Sequence, residues 1–436
     1  MMQTERKAHV VESVFIGLSA AALIAVVLAN VIRVYVSPEV AVLVRAILFS
    51  GSWIAAIVWA LNARRGAVLA WLGVLAGCGL VVAFCELFAG GISGSSLLQL
   101  FGAGGAGVGV ALLIQKSLDG NHAAWAAGCA AIFGTVAAIW LALEPTHELW
   151  KMLPNNWEIS KNLDYRWGIR MGQERARFLF DTPMEAGVVQ WFLGALCLAA
   201  AMSKKTSALA RGLLGSLALL LFASVALTYS RAGLVLSVMS IVLGALMSIR
   251  NRKVTVVALA AAVFILLIAA VAANRIVEDK NPAVKNVASI FDPAEEANRI
   301  RLDQFKKIGR ELANTPWHGR GASNFVTYQE APRMPQHESS PVGLIASFGI
   351  GGGALVLAFA WLLFRHRRNF IDTIVGQEFA KQNSFSRFVV FSVPPFAVYS
   401  IVAPILAGLM FGMLCFTGMG MLAIWAAPLA SRSGKQ

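Results

Sequence analysis

R-I-R-L-D-Q-F-K-K-I-G-R-E-L-A-N-T-P-W-H-G-R-G-A-S-N-F (299–325), then M-P-Q-H-E-S-S-P-V-G (334–343), then L-I-A-S-F-G-I-G-G-G (344–353): here a basic, polar segment runs directly into an apolar one. Residues before Leu344 suit water and a bilayer surface, and residues from Leu344 to about 364 suit lipid. That apolar run is close to the ~20 residues that cross a hydrocarbon core. Outward from this junction the same alternation repeats. Apolar runs lie near 14–32, 40–61, 66–88, 91–114, 123–143, 185–202, 207–227, 232–249, 254–272, 342–364, 387–403 and 406–428. The whole chain is 58% hydrophobic and 14% charged, where a soluble domain carries about 25% charged residues. The sequence therefore predicts an all-α polytopic membrane protein with about 12 transmembrane helices and a mostly helical outer loop region. The first run follows a short basic start. It is longer than the apolar core of a signal peptide and many spans follow, so it reads as a retained span.

The net charge of +14 raises the possibility of a nucleic-acid partner. Its distribution argues against one. Arg6/Lys7, Arg64/Arg65, Lys116, Lys204/Lys205, Arg250/Arg252/Lys253, Arg365/Arg367/Arg368 and Arg432/Lys435 fall on every second connection. That is the positive-inside pattern, and it puts both termini in the cytoplasm. The chain then divides into spans one to five (1–143), a first long outer loop (144–184), spans six to nine (185–272), a large outer loop (273–341), and spans ten to twelve with a cytoplasmic C-terminus (342–436). Cys78, Cys85, Cys129, Cys197 and Cys415 all lie in apolar runs, which suggests neither a disulfide framework nor a thiolate metal site.

Within this frame a few residues are out of place. Arg45 lies inside the second apolar run, where an ionisable residue is either a functional group or a side chain snorkelling to the headgroups. The small-residue run F-G-A-G-G-A-G-V-G (101–109) reads as a close helix-packing surface, because no polar residues flank it. In the loop 144–184, Trp150, Trp157 and Trp167 alternate with Lys161, Arg166, Arg170, Arg175 and Arg177. The tryptophans suit an interfacial belt, and Arg166 and Arg170 suit an anion. The turn T-Y-S-R-A-G (228–233) joins two spans so tightly that Arg231 is held at the bilayer surface, at a helix start, on the side where the positive-inside rule does not call for it. A helix N-terminus favours anions, and arginine adds a planar donor fork.

The large outer loop carries one clear helix signal, at 297–313. Phe305, Ile308 and Leu312 share a face at 100° per residue, and Arg301 falls in the middle of it. Arg299, Lys306 and Arg310 fall on the solvated side. Arginine in an apolar stripe is costly without a partner, which singles out Arg301. Asn314-Thr315-Pro316 ends the helix, and Gly319 and Gly321 make a tight turn.

The sequence contains no P-loop, no G-x-G-x-x-G after a strand, no H-E-x-x-H, no G-x-S-x-G and no D-x-D pair for a metal-bound nucleotide sugar. These gaps point to metal-free chemistry without a cofactor. Carboxylates inside spans are scarce, with Glu86 near an outer end, which argues against a proton-driven transporter. The remaining set is arginines, His337 and aromatics on the outer side. Arginine binds phosphate bidentately, and histidine takes or orients a proton near neutral pH. Together they suit displacement of a diphosphate by a hydroxyl.

These residues also form an ordered set of motifs. T-x-S-R-[AG] opens a span at Thr228. R-L-x-x-[WF] follows at Arg301, Leu302 and Phe305, then P-x-x-G-x-G and N-F at Pro316, Gly319, Gly321, Asn324 and Phe325. A histidine precedes a span at His337, and G-I-x-G stands at Gly349-Ile350-Gly351-Gly352. The set resembles the O-antigen ligase and polymerase superfamily over about residues 200–436, and is most like the ligases. One departure is His337-Glu338, where that family often has H-N.

The resemblance implies a GT-C-like architecture with a periplasmic active site in the inner membrane of a Gram-negative bacterium. It implies an undecaprenyl-diphosphate-linked O-antigen as donor and lipid A–core as acceptor, within surrounding membrane lipids. His337 becomes the catalytic candidate. Arg231 and Arg301, with Arg166 and Arg170, become donor-binding candidates, and Glu338, Arg45, Tyr229 and Arg299 secondary ones. Chain polymerases and protein O-oligosaccharyltransferases belong to the same superfamily. A flippase for lipid-linked oligosaccharide is the rival of a different class. It would line a path through its spans with charge, whereas here charge gathers at one face.

Overall fold

The computed structural model describes residues 2–29, 31–32, 36–89, 101–120, 123–147, 169–170, 173–174, 178–180, 182–203, 206–228, 230–248, 299, 306, 313–314, 316–321, 340–375, 383–402 and 409–425. The helices are α1 (Met2–Val27), α2 (Pro38–Asn62), α3 (Gly66–Ala89), α4 (Ala103–Asp119), α5 (Ala123–His147), α6 (Pro183–Ala201), α7 (Ala208–Ser224), α8 (Arg231–Ser248), α9 (Ser340–Arg365), α10 (Arg367–Val375), α11 (Ser384–Val402) and α12 (Leu409–Trp425). Seven of these helical stretches are long and apolar enough to cross a membrane, and α8 and α12 contain the shorter apolar stretches Gly233–Met247 and Gly412–Trp425. Side chains that a soluble protein would bury face outward: Leu80 is 74% exposed, Leu209 77% and Leu357 71%. Lipid is the solvent that such a surface requires. The protein is an all-α, multi-pass membrane protein. The expected span at 254–272 lies outside the described residues.

Two compact units are present, and the chain passes between them repeatedly. One comprises Met1–Lys116, Lys307–Arg367 and Ser400–Gln436. Its core is built on small residues. α4 brings Gly105 so close to α2 that a Cβ there would come within 2.7 Å of the Trp53 backbone. A Cβ at Gly107 would come within 2.6 Å of the Phe416 carbonyl carbon in α12, and one at Gly109 would strike Ser19 and Phe15 in α1. Trp53 Nε1 also donates to Phe101 O at 2.9 Å. The glycine run 101–109 is therefore a packing surface, as its lack of polar neighbours predicts. Without water to squeeze out between helices, close backbone contact supplies the attraction.

The other unit comprises Ser117–Lys306 and Arg368–Tyr399. Its centre is α6, which packs on α5, α7 and α8. Trp191 Nε1 donates to Ser240 Oγ at 2.8 Å, and Ser240 Oγ donates on to Phe391 O at 2.8 Å. Gln190 Nε2 donates to Gly134 O at 3.0 Å. These polar groups placed among spans thus have nearby acceptors, which hydrocarbon would not provide. α6 and α8 run parallel. A Cβ at Gly233 would meet the Gly187 carbonyl carbon at 3.3 Å, and a Cβ at Gly244, eleven residues on, would meet Leu198 Cδ2, also eleven residues on, at 3.1 Å.

Two local features lie outside the spans. The loop 144–184 contains an antiparallel two-residue pair in which Ile169 faces Glu174 and Arg170 faces Gln173. A ladder this short has no alternation to read. The basic cluster at 365–368, expected as a plain connection, leads into α10, whose Phe370, Ile371 and Ile374 recur at helical spacing.

Candidate active site

The T-Y-S-R-A-G turn is built from hydroxyls. Thr228 Oγ1 donates to Val225 O at 2.8 Å, closing a 3-10 turn, and accepts from Ser230 N at 3.2 Å. Ser230 Oγ accepts from Gly233 N at 3.2 Å, the bond that a cap residue makes to the first turn of a helix. Arg231 is the first residue of α8. Thr228 and Ser230 are both buried. A Cβ at Gly187 of α6 would come within 2.9 Å of Thr228 Oγ1 and 3.0 Å of Ser230 Cβ. The motif is thus a capped helix start pressed against the beginning of α6. Three of its positions have a local reason: threonine closes the turn, serine caps, and glycine permits the approach.

The second element is a clasp on a broken helix. α9 contains one residue of non-helical backbone, Gly349, at φ 54° and ψ −127°. Its break frees backbone groups that have no water to bond at membrane depth. The P-W-H-G-R-G segment supplies partners. Arg320 N donates to Ala346 O at 2.9 Å, Gly321 N donates to Ser347 O at 2.9 Å, and Ile350 N donates to Trp317 O at 2.9 Å. Irregular backbone inside a membrane is tolerated only where protein buries it, as here. Gly319 and Gly321 have φ of 77° and 93°. A Cβ at Gly319 would run into Ser347 O, and one at Gly349 into Trp317 O. The two glycine motifs, about thirty residues apart in sequence, are therefore two halves of one structure.

A substitution series checks the clasp. Gly319→Ala and Gly349→Ala are each expected to cost about 1–3 kcal/mol through strained backbone alone, and to lower the melting temperature in detergent. Gly353, four residues beyond the break, has nothing within 4 Å of the point where a Cβ would stand. Gly353→Ala should melt with the wild type. Equal melting of all three variants would mean that the clasp does not form.

Trp317 is 49% exposed on this clasp. Its ring centroid lies 5.1 Å from Phe88 and 6.1 Å from Phe84 of α3, with His318 edge-on at 5.3 Å.

The sequence candidates fall as follows. Arg45 is half-buried on α2, where its Nε donates to Ala41 O, one turn back, at 2.9 Å. Arg299 and Lys306 are helical and exposed, in keeping with the solvated face assigned to them. Arg170 lies in the two-residue β pair. Arg166, Tyr229, Arg301, His337 and Glu338 lie outside the described residues, as do the side chains of Arg170 and Arg231. His337 belongs to the segment that leaves the clasp at Gly321 and returns at Ser340, the first residue of α9. The sequence reading passed over Glu185, which is 2% exposed in the first turn of α6. The signal was present: Thr182-Pro183-Met184-Glu185 has the form of a capping box before an apolar run.

No curated protein matches the chain. Residues 216–347 match the family described as O-antigen ligase. The matched region begins within α7, takes in the capped turn at Arg231, the segment around Arg301, the glycine strap and His337, and ends at Ser347, whose carbonyl receives Gly321. This match supports a place in the O-antigen ligase and polymerase superfamily for the region 216–347.

Proposed function

We propose that the protein is an O-antigen ligase of the Gram-negative inner membrane, transferring polysaccharide from undecaprenyl diphosphate to lipid A–core on the periplasmic face. The family match supports glycan transfer in lipopolysaccharide biosynthesis. The observation that carries the finer reading is that Arg231, Arg301 and His337 stand in order inside that match, on the outer side of a positive-inside topology.

In this mechanism an acceptor hydroxyl attacks the anomeric carbon of the donor sugar. A new C–O bond forms as the bond from that carbon to the diphosphate oxygen breaks. The hydroxyl proton passes to His337, and the negative charge leaves with the lipid diphosphate. Arg231 and Arg301 stabilise the departing charge with planar donor forks, helped by Arg166 and Arg170. Glu338 stands next to the base in the chain and Tyr229 close to the arginine, both as secondary contributors. A single displacement inverts the anomeric centre. The sequence offers no nucleophilic carboxylate pair for a double one.

Incubation of the purified protein with lipid-linked glycan, in the presence of EDTA, tests the reading. Lipid A–core is expected to become glycosylated. Elongation of the lipid-linked glycan would identify a polymerase, and labelling of a pilin-like protein a protein oligosaccharyltransferase. Movement of the donor across the bilayer without transfer would identify a flippase. Activity abolished by EDTA and restored by Mg²⁺ or Mn²⁺ would overturn the metal-free account of the diphosphate.

A further inference from the structure

The far end of α9 carries aromatic and basic residues that neither the clasp nor the transfer chemistry uses. Its apolar stretch runs from Pro341 to Arg365. In the last turns Trp361 is 51% exposed and Phe364 62% exposed, so both rings belong to the surface that lipid covers. Each ring carries a guanidinium. Arg365 Cζ lies 5.1 Å from the centroid of the Trp361 ring, and Arg367 Cζ lies 3.9 Å from that of Phe364. Both arginines are exposed.

Local geometry explains these pairs. Trp361 and Arg365 are four residues apart, and Phe364 and Arg367 three, spacings of about one helical turn. Arg367 Nη1 also donates to Phe364 O at 3.0 Å, one of the last four carbonyls of α9, which the end of a helix leaves without intrahelical partners. Between the two arginines, His366 is 2% exposed and its ring stacks on Trp425 of α12 at 5.8 Å and 16°. That contact fixes the end of α9 from the inside, while the arginines stand outside. A cation over a ring face is attracted by the ring quadrupole. Among the described residues neither guanidinium is ion-paired with a carboxylate.

A ligand for this surface has to bring anionic oxygens for two planar forks and an apolar body for two rings. A phospholipid brings both. A choline headgroup would set its own cation beside two guanidiniums, so a lipid of net negative charge fits better. Free phosphate would cover no ring. We propose that the C-terminal end of α9 is a binding site for anionic phospholipid, with Arg365 and Arg367 on the headgroup phosphate and Trp361 and Phe364 against the acyl chains. The positive-inside pattern assigns this end to the cytoplasmic leaflet. The site does not depend on the transfer reaction proposed above.

Full-length protein in nanodiscs of phosphatidylcholine, alone or mixed with phosphatidylglycerol, tests this. Melting is followed in both, and the lipid retained after extraction into detergent is identified by native mass spectrometry. The wild type is expected to retain phosphatidylglycerol in preference to phosphatidylcholine and to melt higher in its presence. Arg365→Gln and Arg367→Gln should each weaken that retention about fivefold, the usual worth of one basic residue at an anionic surface. The double variant Arg365→Lys/Arg367→Lys keeps the charge that membrane insertion reads but loses the forks, and should still bind more weakly than wild type. Trp361→Leu and Phe364→Leu keep apolar bulk without the ring face, and should each weaken retention about two- to fivefold. Arg64, exposed on the connection between α2 and α3 and over no ring among the described residues, is the control, and Arg64→Gln should bind as wild type does. Three results would each overturn the site: equal retention of the two lipids by the wild type, a loss in Arg64→Gln as large as in Arg365→Gln, or wild-type retention in both leucine variants. Inorganic phosphate that raises melting in phosphatidylcholine as much as phosphatidylglycerol does would overturn the choice of a lipid.

Discussion

His337→Ala is expected to lower the transfer rate by about 10²–10⁴-fold, the usual worth of a positioned general base, while leaving donor affinity close to wild type. The separation follows from chemistry. The base acts on the acceptor hydroxyl as the new bond forms, so its removal takes away an interaction made in the transition state and not one that holds the donor. The position in the chain supports the role. His337 precedes α9 by three residues, in the segment whose two ends are both tied to α9, at Ser340 by chain continuity and at Gly321 through the bond to Ser347 O. Three residues of chain reach at most about 11 Å, which is the separation from Ser340 that the proposed role has to work within. His318 is the natural comparison. It is half-buried and edge-on to Trp317 within the strap, a packing environment. His318→Ala should change the rate far less than His337→Ala. Single-turnover transfer measured beside donor binding decides the matter. An unchanged rate in His337→Ala would exclude the base role and direct attention to Glu338.

The parts of this molecule that were legible in sequence are those governed by lipid. α2, α3, α5, α6 and α9 follow their apolar runs to within a few residues because hydrocarbon imposes length and composition directly. The Arg231 turn was legible for a similar reason, since a two-span connection that short leaves few conformations open. The clasp was only half legible. The tight turn at Gly319 and Gly321 and the glycines of α9 were each visible, but their pairing joins residues about thirty apart and follows from no local pattern. The same holds for Asp119, which accepts from Phe385 N at 3.1 Å and so caps α11 from a helix 266 residues away. Glu185 was hidden differently. Its capping box is local, but its burial depends on the several helices packed against α6. Local propensity and lipid thus specify the elements, and small residues decide their contacts in ways that only the assembled fold displays.

Replacing arginine by lysine at the proposed donor site is the second large effect. Arg301→Lys and Arg231→Lys are each expected to lose most transfer activity while the proteins still insert and melt normally. Charge is conserved in both, so a purely electrostatic or topological role would survive the change. What is lost is the planar fork that meets two phosphate oxygens at once. Each charge-assisted hydrogen bond lost is worth about 1.5–3 kcal/mol, or roughly ten- to a hundredfold in donor KM together with the rate. This distinguishes the arginines from His337, whose loss should spare donor binding. Arg299→Lys provides the internal control. Arg299 is helical and exposed, and the hundred-degree periodicity that placed it in solvent placed Arg301 on the apolar face. A mild Arg299→Lys beside a severe Arg301→Lys would show that the wheel position, and not the basic character of the segment, carries the function. Near-normal transfer by both Arg231→Lys and Arg301→Lys would reduce these residues to structural cations, and the diphosphate would then need other hands.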